Sequence, residues 1–138
     1  MKIQVETNWK KNMAFEAVVN GHKLTMDIDT ASGGEDAGPR PKPLLLAALA
    51  GCTGMDIVSL LNKMRVPFED LKIFTEGELS EEHPKMVTKI HVTYQIKGKD
   101  LDMNKVNKAI QMSEEKYCGV EATLKSNVEI TSSVEVVE

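Results

Sequence analysis

One stretch of this sequence is apolar on every side, and it constrains the fold more than any other feature. From Pro41 to Met64 the pattern is helical. Its centre reads Leu44-Leu45-Leu46-Ala47-Ala48-Leu49-Ala50-Gly51-Cys52-Thr53-Gly54-Met55-Asp56-Ile57-Val58-Ser59-Leu60-Leu61. Pro41 and Pro43 suit a first helical turn, where a missing N–H costs nothing. Pro67 ends the run, because the residue before a proline avoids helical angles. The first three turns offer no polar face, so a water-soluble chain must cover them all round. Some 20 residues make a rod of about 30 Å. A chain of 138 residues has little material left to wrap it. The simplest solution is a second copy of the same chain.

Composition narrows the class. Residues 1–138 suit a single domain, with 41% hydrophobic and 28% charged residues. The net charge is -4, with a pI near 5.4. There is no basic excess to neutralise phosphates, so no nucleic-acid partner is expected. The strongly apolar run from Leu44 to Cys52 is too short and too soon interrupted for a membrane span. The start, Met1-Lys2-Ile3-Gln4-Val5-Glu6, lacks the apolar core of a signal peptide. A cytoplasmic location is the expectation. The two cysteines, Cys52 and Cys118, are too few for a disulfide scaffold and wrongly spaced for a local zinc knuckle. By composition they read as unpaired buried residues. A disulfide formed in a reducing compartment is more often transient and catalytic.

The rest of the chain alternates strand and helix signals. Residues 2–28 read as a small antiparallel meander, with Asn20-Gly21 marking a hairpin. Residues 29–41 read as a loop, long enough to suggest a function. Residues 68–80 and 86–97 read as two strands around the polar turn Ser80–Lys85. Leu101 to Ser113 is an amphipathic helix, with Asp100 or Asp102 as its cap. Residues 114–118 form a junction, 119–126 one or two helical turns, and 128–137 a closing strand. Strands in runs, interrupted by two helices, define an α+β class.

Few residues suggest chemistry. Gly51 and Gly54 each cost about 1 kcal/mol in a helix against alanine. Either helices pack closely across a dimer axis there, or room is left for a substrate or a second sulfur at Cys52. Cys118 follows Lys116-Tyr117 at a helix start, where the dipole and a nearby cation favour a thiolate. Its other reading is a small buried apolar residue. His83, beside Glu81 and Glu82, is either a solvated turn residue or one that approaches a site. Two cysteines and a histidine could meet in space, but local spacing supports no metal site, and neither metal nor cofactor is expected. There is no phosphate loop and no Gly-x-Ser-x-Gly elbow.

Three segments together resemble a known family. Gly38-Pro39-Arg40-Pro41 with Leu44 to Asp56 and Lys63-Met64-Arg65 resembles the central helix of OsmC-like proteins. Glu81-Glu82-His83-Pro84 with Thr88-Lys89-Ile90-His91 resembles their strand-turn-strand. Ser113-Glu114-Glu115-Lys116-Tyr117-Cys118 resembles the segment bearing their second cysteine. The resemblance implies antiparallel sheets around a long buried central helix, in an intertwined homodimer. It implies thiol-dependent reduction of organic hydroperoxides, with Cys52 as the peroxidatic and Cys118 as the resolving cysteine, and a dithiol or lipoyl reductant. In OsmC and Ohr proteins a glutamate near the helix start and an arginine from the N-terminal region activate the first cysteine. Here the helix starts Pro41-Lys42-Pro43, and the arginines are Arg40 and Arg65. The activating charge would then fall to Arg40 or Lys42, with His83, Glu114 and Tyr117 as further substrate-binding or activating residues. Two other readings stand beside this one: a dimer that binds a small apolar ligand without turnover, and a purely structural dimer.

Overall fold

A computed structural model describes residues 1–137. The chain divides into two compact units, Met1–Leu45 and Leu46 onward.

In the first unit, β1 (Glu6–Lys11), β2 (Ala14–Val19) and β3 (His22–Met26) form an antiparallel sheet in that order. Asn20 and Gly21 both take positive φ, 51° and 80°, and Val19 pairs with His22. Two such residues give a turn whose twist matches the strands it joins, as the Asn-Gly signal implies. The segment after β3 is the loop that glycine and proline content suggested, with one short 3-10 turn at Thr30–Ser32. Buried Asp27 organises it. Its carboxylate accepts backbone N–H bonds from Ile28 (2.8 Å), Glu35 (3.1 Å) and Ala37 (3.1 Å). The Ile28 bond, aided by those from Ala37 and Glu35, holds the Asp27 pKa below its ordinary value against the cost of burial. Gly34 lies against the Ile28 carbonyl so closely that a Cβ would clash with it.

Helix α1 (Pro41–Lys63) carries the chain into the second unit. There β4 (Asp70–Leu79) and β5 (Val87–Lys97) pair antiparallel. Helices α2 (Met103–Met112) and α3 (Gly119–Leu124) follow, then β6 (Glu129–Val137). Asp102 caps α2 by accepting from Lys105 N–H. The sheet order is β4-β5-β6, and β6 runs parallel to β5, Ile90 facing Ile130. This corrects the expectation of antiparallel sheets throughout. The helical segment between β5 and β6 is long enough for a crossover, so the chain re-enters the sheet in the same direction.

The core lies where two periodicities meet. Ile90, Val92, Tyr94 and Ile96 of β5 are each 1% exposed and alternate along one face of the sheet. Leu49, Thr53, Ile57 and Leu61 recur every fourth residue and form the one buried stripe of α1. Val106, Ala109 and Ile110 of α2 belong to the same cluster. The expectation that α1 is buried all round is thus met on a single stripe within this chain, because the unit supplies only one apolar surface to it. Met55 remains 77% exposed and Val58 37%. By length and composition α1 would also suffice to cross a membrane, although the apolar run inside it looked too short. Thr53, Gly54 and the single charge of Asp56 do not suffice to break the pattern. A core helix of a soluble protein passes the same test, but only 22% of this apolar window is buried within the chain.

Candidate functional site

The second unit brings its two cysteines together. Cys52 projects from the middle of α1, and Asp56 stands one turn further along the same helix. Cys118 is the N-cap of α3. The Sγ atoms of Cys52 and Cys118 and a carboxylate oxygen of Asp56 all lie within 4.8 Å of one another. Both cysteines are free thiols; Cys52 is half-buried and Cys118 buried.

The segment Ser113–Tyr117, where residues 114–118 were expected as a junction, is a wide π-type turn and positions much of this site. Its bond from Cys118 N–H to the Ser113 carbonyl, 2.7 Å, fixes both ends. At one end Ser113 Oγ donates to Asp56 Oδ2 at 2.9 Å. At the other, Cys118 Sγ accepts from the Glu121 N–H at 3.4 Å. Such turns concentrate at functional sites, where an extra residue re-aims a side chain.

Burial decides the charge state of this wall. It pushes the Cys118 thiol up to about 12; the Glu121 N–H bond opposes the shift and the adjacent Cys52 sulfur adds to it. The sequence left two readings for Cys118, a favoured thiolate or a small buried residue, and burial favours the second. Helix α3 has only six residues, and the Lys116 ammonium lies over the Tyr117 ring, 5.4 Å from its centroid. Neither offsets desolvation. Burial, with nearby Glu114, also raises Glu121 to about 7 against the pull of Lys125. Glu114 is raised by burial although it accepts from Ser132 Oγ at 3.0 Å. The Tyr94 phenol, raised by burial and then by Glu114, has no hydrogen-bond partner among the described residues.

Clefts open in this unit. One of about 510 Å³ is lined by Glu114, Glu121, Lys125 and Ser132 among others. One of about 190 Å³ reaches Asp56 between Ser59, Leu60, Lys63 and Tyr117. A third, of about 640 Å³ and largely apolar, runs along Gly51, Gly54, Met55, Val58, Leu71 and Ile73. At Gly54 a Cβ would meet Ile73 Cδ1 at 2.9 Å, so the end of that side chain would have to shift. Gly51 has nothing within 4 Å of that position and opens onto the cleft.

Of the residues singled out in the sequence, Cys52 and Cys118 meet. Glu114 lines the cleft beside Glu121, and Tyr117 the one beside Asp56. His83 is exposed in the turn between β4 and β5, and no hydrogen bond or ion pair among the described residues ties it to the cysteines. Arg40 and Lys42 belong to the first unit, where Arg40 pairs with Asp36 and donates to the Gly38 carbonyl at 3.3 Å. Sequence reasoning missed Asp56, Ser113 and Glu121. The spacing of Cys52 and Asp56 could have revealed the first.

The family profile described as OsmC-like protein matches residues 33–133. This chain belongs to that family. It is 34% identical over 136 residues to Protein YhfA of Escherichia coli K12, covering 98% of each chain. A crystal structure of a hypothetical protein from Aquifex aeolicus VF5 is similar at 31% identity and a TM-score of 0.83, covering 100% of this chain and 99% of that one. The organic hydroperoxide resistance protein OhrB of Bacillus subtilis shares the fold at 16% identity and a TM-score of 0.69, with 98% of each chain covered.

Proposed function

We propose that this protein is a thiol-dependent peroxidase that reduces organic hydroperoxides through Cys52 and Cys118. The observation that carries the reading is the approach of the two sulfurs to within 4.8 Å on separate elements. A disulfide needs about 2.05 Å between sulfurs, a closure of under 3 Å. The roles follow from burial. Cys118 is held as a thiol inside the protein, whereas Cys52 is reachable.

The Cys52 thiolate attacks the terminal oxygen of the hydroperoxide. The O–O bond breaks, an alcohol leaves after taking up a proton, and Cys52 becomes a sulfenic acid. Cys118 then attacks the Cys52 sulfur; the S–OH bond breaks, and water leaves with the Cys118 proton. A dithiol of small-molecule or lipoyl type restores both thiols by exchange and is itself oxidised to a disulfide. A reducing compartment such as the cytoplasm suits this cycle. The open apolar face of α1, with Met55 and Val58, supports a homodimer as the working form. The cationic help assigned to Arg40 or Lys42 is tested by Arg40→Ala and Lys42→Ala, read as the pH dependence of Cys52 oxidation.

Hydroperoxide consumption with a dithiol reductant tests the reading. Wild type turns over many equivalents and Cys52→Ser none. Cys118→Ser reacts once and stops at a sulfenic acid that a carbon nucleophile traps. Equal turnover by wild type and Cys52→Ser overturns it. The apolar cleft beside Gly51 favours a second reading, a carrier of a small apolar molecule. That reading predicts binding unaffected by Cys52→Ser and no peroxide consumption by the wild type.

A further inference from the structure

We propose that, in the reduced protein, Cys52, Asp56 and Cys118 form a three-ligand site for a thiophilic divalent cation, zinc(II) above all, with the fourth position left to solvent. The proposal is independent of the peroxidase reading. It starts from donor chemistry. Two sulfurs and one carboxylate oxygen meet within 4.8 Å, supplied by two positions on α1 and by the N-cap of α3. Zinc binds sulfur at about 2.3 Å and carboxylate oxygen at about 2.0–2.2 Å, so tetrahedral donors stand about 3.5–3.8 Å apart. The donors need to close by about 1 Å. Sulfur ligands disfavour magnesium and calcium, which take oxygen donors.

The surroundings are those of a ligand site. Asp56 is oriented by Ser113, whose hydroxyl donates to Oδ2 at 2.9 Å, and the carboxylate keeps further lone pairs for an ion. Such outer hydrogen bonds hold metal-ligating carboxylates in place. The Cys118 backbone is pinned to the Ser113 carbonyl at 2.7 Å, so one turn fixes both the ligand and the orienting residue. The cleft of about 190 Å³ lined by Asp56, Ser59, Lys63 and Tyr117 opens the carboxylate side of the cluster to solvent. No histidine joins the cluster; His91 faces Thr131 and Ser133 instead, at 2.7 and 3.0 Å. Three protein ligands and an open position match catalytic rather than closed structural zinc sites.

The site makes a clear demand on redox state. A Cys52–Cys118 disulfide removes two of the three donors, so the cation and the disulfide exclude one another. Cobalt(II), added to fully reduced metal-free protein, reads the ligands directly. The expected result is one ion per chain, a thiolate-to-cobalt charge-transfer band and the strong visible bands of tetrahedral cobalt. Cys118→Ser should lose about half of the charge-transfer intensity. Zinc affinity, measured against a chromophoric chelator, should fall at least tenfold in Asp56→Asn and about tenfold in Ser113→Ala, with circular dichroism showing each variant folded. Protein oxidised to the disulfide with diamide should bind neither ion. Absence of the charge-transfer band in folded, reduced wild type overturns the proposal. So does zinc affinity unchanged in Asp56→Asn, or retained after diamide. None of these readouts depends on peroxide turnover, so the two readings can fail separately.

Discussion

The two sheets of this chain are built from opposite materials. In β1-β2-β3, Ala17 is the one buried apolar residue, while Trp9 and Phe15, direct cross-strand partners, are 64% and 41% exposed. In β4-β5-β6, four consecutive inward residues of β5 are shut from water and packed into one core with α1 and α2. The first unit is organised by polar bonds around Asp27. The second is organised by apolar burial, and the chemistry sits at the edge of that burial. A reactive pair needs a rigid frame and a controlled dielectric, and only the second unit provides both. The aromatic pair of the first unit is left as open apolar surface.

Substitutions can sharpen or break this contrast. Leu61→Ala removes a fully buried core side chain and should cost about 2–5 kcal/mol in urea unfolding. Trp9→Ala, on the exposed sheet, should cost about 1 kcal/mol or less. A loss at Trp9 as large as at Leu61 would mean that the exposed aromatic face is covered in solution, and it should then depend on protein concentration. Ser113→Ala leaves Asp56 without its buried donor and should cost about 2 kcal/mol.

A smaller effect should appear with pH. Burial raises Glu121 to about 7 from the ordinary 4.5. Below 4.5 both folded and unfolded chains are protonated there, and the group costs nothing. Between 4.5 and 7 the unfolded chain loses the proton first, so stability falls as pH rises, then levels off. Glu121→Gln should flatten that slope and stabilise the protein at pH 8 but not at pH 4. An unchanged slope in the variant would remove Glu121 as its source. The smallest effect belongs to the first unit. Lys11→Ala breaks an exposed pair with Glu35, 3.3 Å apart, and should change stability by no more than about 0.5 kcal/mol. A larger value would show that this surface is not open to solvent.

Much of this architecture was legible before any coordinates. The Asn20-Gly21 turn, the Pro41 start of α1, the alternation along β5 and the cap at Asp102 are local signals, and each falls where it was expected. What stayed hidden depends on residues distant in the chain. Asp27 reaches N–H groups eight and ten residues on, and Ser113 reaches Asp56 across 57 positions. No periodicity announces such bonds. The parallel return of β6 follows from a crossover, and alternation within a strand carries no direction. The choice between the two readings of Cys118 stayed open because a nearby lysine and a helix start are visible in sequence, while desolvation is not. The pairing of Cys52 with Cys118 came from resemblance; the structure supplied its distance.

The central claim is that these two sulfurs act together. The most direct measurement adds one equivalent of an organic hydroperoxide to the fully reduced protein, counts thiols, and maps peptides by mass without reduction. The account predicts that both thiols vanish and that the Cys52 and Cys118 peptides appear joined within one chain, two hydrogens lighter. Two thiols still titratable in folded protein after the hydroperoxide is added would contradict it.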